Sequence, residues 1–369
     1  MSITSFLFAA LVSLFVLQGC DLCDDPAAPG LINGRPDLMY SEVGSFDGWV
    51  QVSKIFRSKA DGSEQRVFQT TSGYITSTGM LHSAPVNGRI VFWGNPRPGP
   101  VDELRVDLAV ANVDGSDAKA IAMYKDAHDV LNPVISPDGS HVAVSDDRRE
   151  RTCDLVVYDV ASGNSVLVAN DMQNESYVRF SPDGTRLFYY TAENSIVSIA
   201  LNGADKRVHV TDAYSNNDYS SNLDISPDGK RMVYQRPAQH PTESTLAIYD
   251  FTTGNSTPIG AETGTLGAWP VWSPDGGSIA FVGVAQPNVT MTLTLYVFDV
   301  NSGALRPLTN TINEWPSYPQ WSPDGLQIAA MVTVGEAIDR GTYTVRVFDA
   351  TSGASTLINT NVGMPFWVR

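Results

Sequence analysis

The tetrapeptide Ser-Pro-Asp-Gly occurs five times in this chain and constrains its fold more than any other feature. Its copies begin at Ser136, Ser181, Ser226, Ser273 and Ser322, with successive steps of 45, 45, 47 and 49 residues. A serine that caps, a proline that fixes φ and a glycine that accepts a left-handed conformation together form a tight turn between strands. Such a turn at this spacing is typical of a β-propeller, in which each repeat forms one blade.

A second series of turns lies within the same repeats. β-Rich runs end at Asp159, Asp250, Asp299 and Asp349, and a glycine follows each of them four residues later. Near the amino terminus, Asn33-Gly34 and Asn87-Gly88 stand where Asp-Gly stands in the later repeats. Each series then contains seven turns, which predicts seven blades of four antiparallel strands.

The two ends of the repeat region complement each other. The first unit has no strand before Asn33-Gly34, and the chain finishes with Met364-Pro365-Phe366-Trp367, which matches Tyr318-Pro319-Gln320-Trp321. We expect the C-terminal strand to join the first blade, because a ring closed in this way leaves no unpaired sheet edge at the junction. The predicted fold is therefore an all-β, seven-bladed β-propeller over residues 33–369.

These repeats resemble the PD40 (WD40-like) repeat of TolB-like propellers, which also occurs in prolyl-oligopeptidase-type peptidases and oligogalacturonate lyases. The resemblance covers residues 33–369 and implies the architecture of the domain. We expect neither the amino-terminal α/β domain of TolB nor the hydrolase domain of the peptidases. Because propellers serve many functions, the resemblance leaves the function open.

The amino terminus has the pattern of a lipoprotein signal peptide. Residues 1–19 carry no charged side chain, and the run from Phe6 to Leu17 is nearly all apolar, the length of a signal-peptide core. Leu17-Gln18-Gly19-Cys20 resembles the bacterial lipobox, whose cysteine is lipidated. We predict a signal peptide over 1–19, a lipidated tether over 20–32 and lipid attachment at Cys20.

This pattern predicts a bacterial cell-envelope protein on the periplasmic side, and it leaves the choice between inner and outer membrane open. The alternative is an ordinary signal peptide with Cys20 as a spare thiol. The two other cysteines, Cys23 and Cys153, can pair in an oxidising compartment, and the sequence leaves this pairing open.

The charge balance argues against nucleic acid as a partner. The chain has 24 Lys+Arg against 40 Asp+Glu, for a formal net charge of -16. Binding to phosphates requires a positive surface that displaces counterions. A basic or neutral partner, a sugar or a cation is a better match, and the acidity equally serves to keep an exported protein soluble.

Candidate ligand-binding residues lie on the loops that lead into the first strand of a blade or join its second strand to its third. These loops share one face of a propeller, where ligands usually bind. The candidates are Asp126, His128, Asp129, Asp146, Asp147, Asp212, Tyr214, Asp218, Glu314 and Trp315. The first five are candidate ligands of a divalent cation, although the simpler interpretation is that they are solvated turn residues. Aromatic residues beside amides and carboxylates suit sugars or peptides.

No catalytic motif is present. The sequence has no Gly-x-Ser-x-Gly, no Walker loop and no His-Glu-x-x-His. Its Cys-x-x-Cys, Cys20-x-x-Cys23, belongs to the predicted processing site and tether rather than to a zinc site. We therefore predict no catalytic residue and no cofactor. The leading hypothesis is a monomeric propeller that binds or scaffolds an envelope protein or peptide. The alternative is a carbohydrate-active lyase or hydrolase that uses the same loops, with His82, His128 and His240 converging from different blades.

One ion pair between blades is also predicted. Arg179 and Asp224 occupy the same place in consecutive repeats, two residues before Ser181 and Ser226. Equivalent positions in neighbouring blades lie side by side, so we expect these side chains to form a partly buried ion pair near the central channel.

Overall fold

The structure is a computed structural model of the chain. It describes residues 37–42, 55–68, 86–94, 106–124, 130–146, 152–173, 178–211, 213, 223–237, 244–259, 266–284, 293–309, 313–335 and 341–368. The regular elements in these residues are β-strands. None of these residues belongs to a helix long and apolar enough to cross a membrane.

The described strands form seven antiparallel sheets, which are the seven predicted blades. The strands of blades 1 to 3 are β1 (Asp37–Glu42), β2 (Ile55–Lys59), β3 (Arg66–Val67); β4 (Arg89–Gly94), β5 (Val106–Asn112), β6 (Lys119–Tyr124); β7 (Val130–Ile135), β8 (His141–Asp146), β9 (Thr152–Asp159) and β10 (Ser165–Gln173). Those of blades 4 and 5 are β11 (Arg179–Phe180), β12 (Arg186–Tyr190), β13 (Ile196–Ala200), β14 (Arg207–Val210); β15 (Leu223–Ile225), β16 (Arg231–Pro237), β17 (Ser244–Asp250) and β18 (Ser256–Ile259).

The remaining strands belong to blades 6 and 7 and to the closure of the ring. They are β19 (Leu266–Trp272), β20 (Ser278–Val284), β21 (Leu293–Asp299), β22 (Leu305–Pro307); β23 (Glu314–Trp321), β24 (Gln327–Val334), β25 (Thr342–Asp349), β26 (Ser355–Thr360); and β27 (Val362–Trp367). Six sheets have four strands, and blade 2 has three within the described residues. The strand expected before Asn87 lies outside those residues.

The predicted closure is confirmed, because β27 pairs with β1 in the first blade. Leu38 is opposite Trp367 and Met39 is opposite Phe366 in this antiparallel pair. The amide of Val368 adds a hydrogen bond of 2.8 Å to the carbonyl of Asp37. Blade 1 is therefore built from both ends of the repeat region.

Seven hydrophobic cores fill the spaces between adjacent blades, one for each neighbouring pair. The core between blades 7 and 1 contains Ala329 and Val345 from one blade and Leu38 and Tyr40 from the other. The alternation of each strand places apolar side chains on both faces of a blade, since each blade has a neighbour on either side. The ring is thus packed around its full circumference.

Each Ser-Pro-Asp-Gly turn has the same internal hydrogen bonds. In the first copy, Ser136 Oγ donates to Asp138 Oδ1 over 2.6 Å, and the Gly139 amide donates to the Ser136 carbonyl over 2.8 Å. The amide of His141, which begins the next strand, donates to Ser136 Oγ over 2.9 Å. The bond from Ser136, followed by those from Ser140, lowers the pKa of Asp138 to about 2. These aspartates are turn formers, which agrees with the local chemistry of the motif.

The inner strands of blades 6, 7 and 1 contain an irregularity that the sequence did not predict. Trp269, Tyr318 and Met364 precede prolines and have φ values of 52°, 51° and 46°. The strand register shifts at each of these points. A bulky residue in the left-handed region costs about 1–3 kcal/mol, so the surrounding packing must hold these bulges in place.

Candidate functional site

The strand order separates the two faces of the disc. In each antiparallel blade, the turns between strands one and two and between strands three and four lie at one end, which we call the turn face. The opposite end carries the end of strand two, the start of strand three and the strand ends that lead from one blade to the next, and we call it the loop face. The described turns of both series therefore lie on the turn face, and the strand ends that border the predicted ligand-binding segments lie on the loop face.

The structure describes three of the predicted ligand-binding residues, namely Asp146, Glu314 and Trp315. The others lie outside the described residues, together with the predicted lipid attachment site: Asp126, His128, Asp129, Asp147, Asp212, Tyr214, Asp218 and Cys20. Their roles stay predictions. The site can be built from the strand ends that carry the three described residues.

Asp146 ends β8 and is buried rather than exposed on a loop. In the blade 3 sheet it lies opposite Val130 of β7 and Asp154 of β9. A further buried carboxylate, Asp107, lies near the start of β5 in blade 2. Neither Asp107 nor Asp154 was predicted from the sequence, although each is an acidic residue near the start of the third strand of its blade. Within the described ranges, no group of three or more His, Cys, Asp or Glu side chains is arranged to hold a metal ion.

Glu314 and Trp315 begin the innermost strand of blade 7. Glu314 Oε1 lies 3.0 Å from Arg346 Nη2, and both side chains are only 20% exposed. Trp315 packs, partly buried, against the core between blades 6 and 7. Arg346, a positively charged residue in the middle of β25, was not predicted from the sequence. A half-buried pair of this kind is fixed in position more firmly than a surface pair.

The rings of Trp269 and Tyr318 pack together in the core between blades 6 and 7. Their centroids are 4.9 Å apart, and they join the inner strands of the two blades. The indole Nε1 of Trp269 is buried and has no hydrogen-bond partner among the residues that the structure describes. Left-handed backbone at bulky residues is concentrated at functional sites. We call Trp269, Glu314, Trp315, Tyr318 and Arg346 the blade 6–7 cluster.

The predicted pair of Arg179 and Asp224 is present between blades 4 and 5. Arg179 Nε lies 4.0 Å from Asp224 Oδ1, and the side chains are 23% and 24% exposed. Asp224 Oδ2 also accepts a hydrogen bond of 2.8 Å from the backbone amide of Trp272 in blade 6. Asp224 therefore links the inner strands of three successive blades.

Replacing Arg179 by alanine is expected to lower stability by about 1 kcal/mol, because the remaining carboxylate keeps the Trp272 amide as a donor. Replacing Asp224 by alanine is expected to cost more, about 2 kcal/mol, since it leaves that amide without its acceptor. Urea unfolding of both single variants and of the double variant measures the coupling. Additive losses in the double variant would contradict the ion pair.

Cys153 is buried in the core between blades 3 and 4. Cys23 lies outside the described residues, so the pairing of the two cysteines stays open. At this position Cys153 serves as a small apolar core residue, because cysteine is among the most often buried residue types.

The same fold occurs in solved structures of other propellers. TolB from Acinetobacter baumannii is 18% identical, with a TM-score of 0.54 over 87% of this chain and 81% of that chain. The β-propeller domain of the Trilobed protease from Pyrococcus furiosus is 11% identical, with a TM-score of 0.58 over 83% and 87% of the two chains. An oligogalacturonate lyase in complex with manganese is 14% identical, with a TM-score of 0.54 over 74% and 75%.

No family model matches the sequence, and no curated protein does. At these low identities the structural similarity establishes the fold alone. The TolB-like propeller architecture that the repeats predict is confirmed.

Proposed function

We propose that the protein is a non-catalytic binding or scaffolding module of the bacterial envelope, anchored by a lipid on Cys20, which engages a protein or peptide through its loop face. The observation that carries this proposal is the blade 6–7 cluster. Glu314 and Trp315 begin the inner strand of blade 7 on the loop face, where Glu314 pairs with Arg346 of β25. The rings of Trp269 and Tyr318 pack together between the inner strands of blades 6 and 7. A rigid ring of blades with aromatic and charged groups on one face is suited to recognition.

The charge of the chain indicates which partners fit. A net charge of -16 favours a basic or neutral protein surface over an acidic one. Much of the binding energy at protein interfaces comes from a few aromatic and arginine side chains. Trp315 and Tyr318 are partly exposed and have this character.

A photo-cross-linking side chain placed at Trp315 tests the proposal in envelope membranes. We expect one envelope protein to be captured at position 315. The matched control places the same cross-linker at Leu326, which is 66% exposed on the turn face, and it should not capture that protein. Equal capture at both positions, or none at position 315, would argue against recognition through the loop face.

Two further experiments test the lipid anchor and the lyase alternative. Replacing Cys20 by serine should move the protein from the membrane fraction to the soluble fraction, and retention in the membrane would contradict the lipid anchor. The lyase alternative rests on the fold shared with the manganese-containing oligogalacturonate lyase. It would gain support if the protein released unsaturated products from oligogalacturonate in the presence of Mn²⁺.

A further inference from the structure

His209 lies at the outer edge of blade 4 within a group of aromatic rings contributed by two blades. Its ring stacks on Phe188 of the same blade, with centroids 5.6 Å apart. It also meets Phe251 and Tyr249 of blade 5 edge to face, at 5.0 and 5.8 Å. The rings of Phe188 and Phe251 are in turn 5.4 Å apart. We call His209, Phe188, Tyr249 and Phe251 the blade 4–5 latch, because they join the outer parts of the two blades.

Ser198 connects His209 to Arg186 through hydrogen bonds. Ser198 Oγ lies 2.8 Å from His209 Nε2 and accepts a hydrogen bond of 3.1 Å from Arg186 Nε. Arginine can only donate, so it occupies one lone pair of the buried Ser198 hydroxyl and leaves one proton and one lone pair to face His209 Nε2. Either neutral tautomer of His209 can therefore hydrogen-bond to Ser198.

The charged groups around the ring oppose its protonation. Arg186 and Arg207 both approach His209, while the carboxylate of Asp205 is hydrogen-bonded to both arginines. Tyr249, on the blade 5 side, contributes a neutral phenol. Burial, followed by the charges of Arg186 and Arg207, lowers the pKa of His209 to about 4.

We propose that the blade 4–5 latch is an acid-sensitive contact that holds the outer strands of blades 4 and 5 together at neutral pH and releases them on acidification. In an opened state His209 faces water and regains an ordinary pKa near 6.5. Between pH 6.5 and pH 4 the open state therefore binds the proton more readily than the closed state. The latch is fully stable above pH 6.5 and weakens as the pH falls towards 4.

Hydrogen exchange of the full chain, followed by mass spectrometry, measures this opening. After correction for intrinsic rates, the opening constant of amides in β14 should rise on the order of tenfold from pH 7.5 to pH 5.0, with partial exposure of the ring limiting the effect. His209→Phe keeps an aromatic ring without a titrating group, so its opening constant should stay nearly constant. The turn aspartates Asp138, Asp183 and Asp228 do not interfere, because their pKa values are lowered from 3.8.

A matched control is His141→Phe in blade 3. The His141 Nδ1 also lies near a serine hydroxyl, 2.7 Å from Ser140 Oγ, and this variant should keep the wild-type pH dependence in β14. Should His209→Phe fail to fold, ¹⁵N NMR of the wild-type imidazole provides an independent test. A titration midpoint near 4 supports the latch, whereas a midpoint near 6.5 overturns it. The same pH dependence in wild type and His209→Phe would also overturn it.

Discussion

Replacing Gly353 by alanine is expected to lower the free energy of unfolding by about 2–5 kcal/mol. Gly353 forms the turn between β25 and β26 with a φ of 76°, which costs a residue with a side chain about 1–2 kcal/mol. A Cβ at this position would also lie 2.5 Å from the carbonyl oxygen of Leu308 in blade 6. Relief of that overlap requires the two blades to move apart, at a further cost of about 1–3 kcal/mol. Denaturant unfolding followed by circular dichroism measures the loss.

Gly303 offers the matched control for this substitution. It forms the equivalent turn of blade 6 with a φ of 73°, but a Cβ there would meet nothing within 4 Å. Gly303→Ala should therefore show the backbone cost alone, about 1–2 kcal/mol. Equal losses at the two positions would show that the contact between blades 6 and 7 at Leu308 does not affect the free energy of unfolding of the alanine variant.

Replacing Trp367 by alanine is the second large effect that we expect, a loss of about 3–5 kcal/mol. Trp367 lies on the closing strand, is 1% exposed and packs with Leu38 and Tyr40 in the core between blades 7 and 1. Its removal leaves a cavity where the ring is joined. The pairing of β27 with β1 should weaken at the same time, so proteolysis near the carboxyl terminus should become faster than in the wild type.

Trp367→Phe separates the packing of this residue from its hydrogen bond. Phenylalanine keeps an aromatic ring but loses the bond of 3.0 Å from the indole Nε1 to the carbonyl of Gln320 in blade 7. We expect this variant to lose about 1–2 kcal/mol. An alanine variant no less stable than the phenylalanine variant would mean that the closing strand contributes little to the ring.

The sequence was sufficient to predict the architecture because the informative residues act locally. In Ser136-Pro137-Asp138-Gly139, every group that forms the turn lies within six residues of the others, so the spacing of these turns reports the blades directly. The closing strand was predictable because Met364-Pro365-Phe366-Trp367 matches an internal repeat. The inner bulges were not, because a residue before proline normally adopts an extended conformation, and Trp269 and Tyr318 do not.

The candidate site was predictable only in part, since its residues come from different strands. Glu314 and Trp315 stand next to the repeat motif and were identified from it. Arg346 contacts Glu314 from β25, thirty-two residues later in the chain. The repeat motif specifies neither the charge at this position nor the direction in which the side chain extends. The loops that carry the other candidates differ in length and sequence from blade to blade. The repeat therefore predicts which face they share but not how their side chains are arranged.

The seven cores have a consequence for how the molecule comes apart. Each core is shared by two adjacent blades only, so stability is a sum of nearest-neighbour couplings arranged in a circle. A linear array of repeats has two weak ends from which it frays, and it needs modified terminal repeats to protect them. In the circle, the loss of one core leaves every blade packed against at least one neighbour. A blade is released only when a second core is also lost.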